Sequence, residues 1–129
     1  MDTEYTGRIL LVIDDHEDLL VAVKRMLETS GFAVLTASNG AEGLNVLMQR
    51  KGRVDGVVLD LYMPKLNGAH LAELIRIAWP VLPVLLISAY VDAANAVIGH
   101  LELPVLAKPF TMPALLEAVT RLLEPPAAE

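Results

Sequence analysis

Short, continuous runs of apolar residues alternate along the chain with longer segments in which apolar positions recur every three or four residues. The apolar runs lie at 9–13, 33–35, 57–59, 84–87 and 104–107. Unbroken apolar runs of this length are typical of strands that are buried on both faces of a sheet. The pattern therefore predicts five buried strands with helical segments between and after them.

The intervening segments carry apolar stripes with helical spacing. The stripes comprise Leu20, Val23 and Leu27; Leu44, Leu47 and Met48; Leu71, Leu74, Ile75 and Ala78; and Leu115, Leu116, Val119, Leu122 and Leu123. A shorter, weaker helical segment covers 93–101. Asn39, Asn67 and Thr111 are suited to cap three helix N-termini, and Gly31 to end the first helix. The alternation predicts an α/β fold, a doubly wound parallel sheet of five strands with five helices.

Composition narrows the class of protein. The chain has 129 residues, of which 54% are hydrophobic and 20% charged, so one domain with a full core is expected, at 8–123. Residues 1–7 are expected to form an N-terminal tail, and 124–129 a C-terminal tail or linker.

The net charge of −6 disfavours nucleic-acid binding, and the lack of cysteine disfavours disulfides and thiolate zinc sites. No segment predicts membrane insertion, and a cytoplasmic location is expected.

Polar residues stand where four of the predicted strands end. Asp14 and Asp15 follow the first strand, Asp60 the third, Ser88 the fourth and Lys108 the fifth. Each residue taken singly is more often a cap or a turn residue than a catalytic group. In an open parallel sheet, however, ligands bind outside the carboxyl ends of the strands, where these side chains meet.

This combination of side chains indicates phosphoryl chemistry. Three carboxylates at one edge repel one another unless a cation lies among them, and oxygen ligands suit Mg²⁺. We expect Asp14 and Asp15 to hold the metal and Asp60 to be the nucleophile. Ser88 and Lys108 would then bind the phosphoryl oxygens.

The motifs at these positions resemble those of the receiver domains of two-component response regulators. The resemblance covers about residues 7–123 and rests on Leu10-Leu11-Val12-Ile13-Asp14-Asp15, Asp60-Leu61-Tyr62-Met63-Pro64 with Asn67-Gly68, Leu86-Ile87-Ser88-Ala89, and Lys108-Pro109-Phe110. It implies a flavodoxin-like receiver fold with strand order 2-1-3-4-5. The short segment between Ser88 and Lys108 is similar to receivers of hybrid histidine kinases and to some stand-alone receivers.

The resemblance also implies roles for individual residues. Asp60 would accept a phosphoryl group from a histidine kinase or a histidine phosphotransfer protein. Asp15 would ligate Mg²⁺ directly, Asp14 mainly through water, and the backbone carbonyl of Tyr62 would be a further ligand, beside Asp60 itself. The Lys108–Pro109 peptide bond is similar to one that is cis in the family.

One departure from the family pattern concerns the switch region, which comprises Ser88, Tyr90 and Val105. Many receivers carry an aromatic residue on the last strand, shortly before the lysine, and this ring turns inward when the hydroxyl residue is drawn to the phosphoryl group. Val105 occupies that position here. The usual aromatic switch is therefore missing or replaced, and Tyr90 is the nearest aromatic residue to Ser88.

Two other interpretations remain. A phosphatase or phosphotransferase of the haloacid dehalogenase type also uses an aspartate nucleophile, but its acid/base carboxylate would fall at Tyr62. A non-phosphorylated, receiver-like binding scaffold would not need every acidic, hydroxyl and lysine position filled.

We expect a protein that catalyses only its own phosphorylation and dephosphorylation. We expect it to be a monomer or a weak dimer.

Overall fold

The computed structural model describes residues 7–62, 67–90, 92 and 98–124. Five strands form one sheet, namely β1 (Ile9–Ile13), β2 (Ala33–Ala37), β3 (Gly56–Asp60), β4 (Val84–Ser88) and β5 (Val105–Ala107). They lie in the order β2-β1-β3-β4-β5, and each neighbouring pair is parallel. The predicted five-stranded parallel sheet and its order are confirmed.

The described residues contain four α-helices. These are α1 (Glu17–Thr29), α2 (Gly40–Gln49), α3 (Gly68–Ala78) and α4 (Met112–Leu123). Of the predicted helix at 93–101, residues 93–97 lie outside the described part of the chain, and Gly99–Leu101 form a 3-10 turn. A glycine costs about 1 kcal/mol in a helix interior, which is consistent with the tighter turn at Gly99. In the described ranges, no helix is both long and apolar enough to cross a membrane.

Successive strand residues pack into two separate cores, one on each face of the sheet. Leu11, Ile13, Val57, Leu59 and Leu86 face α2 and α3. Leu10, Val12, Val58, Leu85 and Ile87 face α1 and α4. Because side chains alternate across a strand, burial on both faces requires the unbroken apolar runs of the sequence. The doubly wound arrangement is therefore confirmed.

Two residues of the predicted helical stripes lie outside the core. Met48 is 62% exposed because α2 rests on the sheet through Gly40, Gly43 and Leu47 instead. A Cβ at Gly43 would overlap the Ile13 side chain, so this glycine allows the helix to approach β1 closely. Ala78, the last residue of α3, is also exposed.

The predicted helix ends have the expected hydrogen bonds. The side chains of Asn39 and Asn67 each accept a bond of 2.8 Å, from the backbone N–H of Glu42 and of His70. Thr111 Oγ1 accepts one of 3.2 Å from Ala114 at the start of α4. Such caps satisfy N–H groups that have no partner within the helix. Gly31 follows α1 with φ of 106°, a left-handed conformation that favours glycine.

Candidate functional site

Three polar side chains are buried together where the strands end. Asp14 follows β1, Asp60 is the last residue of β3, and Ser88 is the last residue of β4. Their relative exposures are 2%, 4% and 0%, and the described residues include no other buried polar or charged residue. Burying charged groups is costly even when they are paired, so these positions indicate function rather than packing.

Lys108 joins two of these carboxylates. Its Nζ lies 3.1 Å from Asp14 Oδ2 and 3.2 Å from Asp60 Oδ2. Its backbone N–H donates a hydrogen bond of 2.8 Å to the Ser88 carbonyl, which fixes the lysine against the end of β4. The Lys108–Pro109 peptide bond is cis, the isomer that the family resemblance implies.

The charges of the site alter two pKa values. Burial raises the pKa of the Asp60 carboxyl, the Asp14 carboxylate raises it further, and Lys108 opposes both effects. Burial lowers the pKa of Lys108, but the carboxylates of Asp14 and Asp60 outweigh it, so the net shift is upward. The lysine is therefore charged at neutral pH, and further positive charge close to Asp60 would favour the ionised form of its carboxyl.

Four ligand-bearing side chains lie close enough to share one metal ion. One ligand atom from each of Asp14, Asp15, His16 and Asp60 lies within 4.8 Å of the others. Asp15 Oδ1 is buried and has no hydrogen-bond partner among the described residues. An orphaned buried carboxylate oxygen beside two further carboxylates fits a hard divalent cation such as Mg²⁺.

Two tyrosines flank Asp60 and Ser88. The backbone N–H of Tyr62 donates to Asp60 Oδ1 at 3.3 Å, and that of Tyr90 donates to Ser88 Oγ at 2.9 Å. The two rings make an edge contact, with centroids 5.7 Å apart and planes at 83°. Each ring is partly exposed, at 47% for Tyr62 and 66% for Tyr90. The rings therefore form a shared aromatic rim beside the buried acidic groups.

The loop after Asp60 depends on a glycine. The backbone N–H of Gly68 donates to the Leu61 carbonyl at 2.9 Å. A Cβ at this position would lie 2.6 Å from Leu61 Cα and 2.7 Å from its carbonyl oxygen. Because backbone atoms cannot easily move aside, a larger residue would displace the chain next to Asp60. Met63 and Pro64, also part of the sequence motif, lie outside the described residues.

The structure brings most of the predicted residues together and adds two observations. Val105 is half-buried at the start of β5, where it pairs with Leu86 and packs against the core that faces α2 and α3. The contact between Tyr62 and Tyr90 was not predicted, because ring orientation is not encoded in residue spacing. In the sequence, His16 directly follows Asp14 and Asp15, but residue order does not determine the direction of its ring. In the structure, the ring nitrogen Nδ1 faces the carboxylates of Asp14 and Asp15.

Comparison with known proteins identifies the family of the chain. The family model described as the response regulator receiver domain matches residues 10–120. The transcriptional regulatory protein PrrA of Mycobacterium tuberculosis is 38% identical over 126 residues, which cover 95% of this chain but 53% of PrrA. The chain thus spans about half the length of this curated relative.

Solved structures agree with the fold. The non-phosphorylated HemR receiver domain of Leptospira biflexa has a TM-score of 0.84 and 30% identity, covering 95% of this chain and 99% of that one. The response regulator protein TrrA of Thermotoga maritima, in complex with Mg²⁺ and BeF, has a TM-score of 0.81 and 29% identity, covering 90% and 99%. The chain therefore belongs to the family of response regulator receiver domains of two-component systems.

Proposed function

We propose that this receiver domain accepts a phosphoryl group on Asp60 from a phosphohistidine of a histidine kinase or a phosphotransfer protein. A carboxylate oxygen of Asp60 attacks the phosphorus, and the bond from phosphorus to the histidine nitrogen breaks. The observation that carries the proposal is the burial of Asp60 beside Lys108, at 3.2 Å, within a cluster of carboxylates. Because phosphohistidine is made from ATP, we place the proposed reaction in the cytoplasm.

The side chains of the site divide the remaining tasks. Asp14, Asp15, Asp60 and the backbone carbonyl of Tyr62 would hold Mg²⁺, which neutralises charge on the phosphoryl oxygens when bound. Lys108 supplies a second positive charge, and it is already positioned because two carboxylates hold its Nζ. The Ser88 hydroxyl is buried at the end of β4, the strand that pairs with β3 and Asp60, and would donate to a phosphoryl oxygen.

The other two interpretations are less well supported. A haloacid dehalogenase needs an acid/base carboxylate two residues after the nucleophile, and Tyr62 cannot transfer protons in that way near neutral pH. A buried cluster of like charges destabilises the fold, and a passive binding scaffold would have no use for it, whereas a phosphoryl-accepting site needs it.

Phosphorylation of the isolated chain tests the proposal. With Mg²⁺ and acetyl phosphate, the intact mass should increase by one phosphoryl group. Asp60→Asn should abolish the increase because the amide is not a nucleophile. Asp55→Asn is the matched control, since Asp55 precedes the same strand and bonds Ile9 N–H at 2.7 Å instead. Equal labelling of Asp60→Asn and wild type would reject Asp60 as acceptor.

The response to phosphorylation would begin at Ser88. If the Ser88 side chain moves toward a phosphoryl oxygen, the hydrogen bond that its Oγ accepts from the Tyr90 backbone N–H would lengthen or break. Val105 offers no ring to fill the space that this movement leaves, so the change would pass to Tyr90 and its contact with Tyr62. We assign the output to protein contacts, made by a monomer or weak dimer.

The phosphoryl group on Asp60 is expected to be long-lived. Hydrolysis needs a water molecule positioned opposite the Asp60 oxygen, and the two tyrosine rings offer neither a carboxylate nor an amide to position it. The double variant Tyr62→Asn, Tyr90→Glu should lose phosphate about tenfold faster or more. The decay of labelled protein after removal of the donor measures this rate.

A second double variant separates the steric effect of the two rings from any effect of their hydroxyl groups. Tyr62→Phe with Tyr90→Phe keeps both rings and should decay at the wild-type rate. An unchanged or slower rate for the variant with Asn and Glu would show that the aromatic rim does not protect the phosphoryl group.

A further inference from the structure

His16 lies at the metal centre with a ring nitrogen turned toward the carboxylates. Its side chain is 70% exposed, yet Nδ1 lies 3.3 Å from Asp14 Oδ1 and 3.6 Å from Asp15 Oδ1. The backbone helps to hold it there, because the His16 N–H donates to Asp14 Oδ1 at 2.9 Å. His16 precedes α1 in an extended conformation, and its side chain makes no cap hydrogen bond to the helix.

These distances suit ligands of one ion. Two adjacent ligands of an octahedral ion that each lie about 2.1 Å from the metal are separated by roughly 3 Å. The distances from Nδ1 to the two carboxylate oxygens exceed this value by only a few tenths of an ångström. A small movement of the exposed ring would therefore bring Nδ1 to a position from which it shares a metal with Asp15 Oδ1, which has no hydrogen-bond partner among the described residues.

The ligand atoms decide which metal is preferred. A set of oxygens suits Mg²⁺, whereas an imidazole nitrogen favours divalent transition ions, in increasing order from Mn²⁺ through Co²⁺ to Ni²⁺. We infer that His16 is a nitrogen ligand of the acidic site, which gives this receiver a higher affinity for divalent transition ions than its carboxylates alone would provide. This inference rests on the proposed metal site and adds a ligand to it.

Binding of Mg²⁺ and of Co²⁺, measured by isothermal titration calorimetry, tests the role of His16. His16→Ala should weaken Co²⁺ binding about tenfold or more and change Mg²⁺ binding less than about twofold. His70→Ala is the matched control, since His70 is exposed in the first turn of α3 and is not part of the cluster. If His16 only pairs with Asp14, the variant will alter the affinity for both ions by the same factor, which would overturn the inference.

A spectroscopic measurement observes the ligand directly. Pulsed electron paramagnetic resonance of the Mn²⁺-loaded protein, labelled with ¹⁵N-histidine, should show nitrogen coupling that persists in His70→Ala and disappears in His16→Ala. Absence of coupling in the wild type would reject His16 as a ligand.

Asp15→Ala separates this inference from the proposed function. It should abolish the binding of both ions if the acidic site holds them. If Asp15→Ala binds Co²⁺ with the same affinity as the wild type, the ion is bound elsewhere and the role of His16 is overturned, whatever the result for phosphorylation. Conversely, normal phosphorylation with Mg²⁺ and no nitrogen coupling would leave the proposed function intact and reject His16 alone.

Discussion

Replacement of Lys108 by methionine is expected to lower the free energy of unfolding by about 3 kcal/mol or more at neutral pH in the absence of Mg²⁺. The lysine Nζ lies within 3.2 Å of carboxylates from Asp14 and Asp60, whose side chains are only 3% and 5% exposed. Removing the cation leaves both carboxylates buried without a countercharge. Urea denaturation followed by circular dichroism measures the loss.

The effect of Lys108→Met should depend on pH in a defined direction. In the folded wild type, the pKa of Asp60 is already above its ordinary value of 3.8, and Lys108 limits the rise. Without the lysine, this pKa rises further. A raised carboxyl pKa costs stability as pH increases through the folded value, so the deficit of the variant should be small in acid and grow toward neutrality.

Lys24→Met is the matched control for the lost charge. Lys24 is exposed on α1, and such surface substitutions change stability by about 0.5 kcal/mol or less. Mg²⁺ should restore part of the stability lost in Lys108→Met, because it supplies positive charge to the same carboxylates. Equal stabilities of the two variants across the pH range would contradict the ion-pair assignment.

Replacement of Asp15 by alanine is expected to abolish Mg²⁺ binding without unfolding the protein. Binding to the folded state alone stabilises it, by about 2.7 kcal/mol at a concentration one hundred times the Kd. The variant should lose this gain and melt at an equal or higher temperature than wild type in metal-free buffer, since one carboxylate of a repelling cluster is gone. Thermal melts with and without Mg²⁺ measure both effects.

Asp18→Ala provides the comparison for Asp15→Ala. Asp18 is an exposed carboxylate of the first turn of α1 and is not part of the metal cluster, so this variant should keep the Mg²⁺-dependent stabilisation. A large loss of stability of Asp15→Ala in metal-free buffer would instead identify Asp15 as a structural residue of the loop before α1.

The sheet could be predicted from the sequence because its physical requirement is simple. A strand covered by helices on both faces needs apolar residues at successive positions, as at Leu10 and Leu11, which enter opposite cores. Parallel strands also align their carboxyl ends, so the residues that follow the runs had to meet at one edge. Most of the candidate site follows from these two facts.

Features that depend on fine packing could not be predicted. Met48 matches a helical stripe, but α2 is oriented by the close approach of Gly43 to Ile13, which leaves Met48 exposed. The orientation of the His16 ring and the contact between Tyr62 and Tyr90 depend on side-chain torsions, and residue spacing does not determine these. The sequence pattern likewise predicted a helical segment at 93–101, whereas Gly99–Leu101 form a 3-10 turn in the structure.

The most direct test of Asp60 as phosphoacceptor is to locate the acyl phosphate in the wild-type chain. After phosphorylation with Mg²⁺ and acetyl phosphate, borohydride reduces an aspartyl phosphate to homoserine, which peptide sequencing by mass spectrometry can place. We expect homoserine at position 60 and at no other aspartate. Homoserine at Asp14, Asp15 or Asp55, or its absence from a protein that has gained a phosphoryl group, would contradict the assignment.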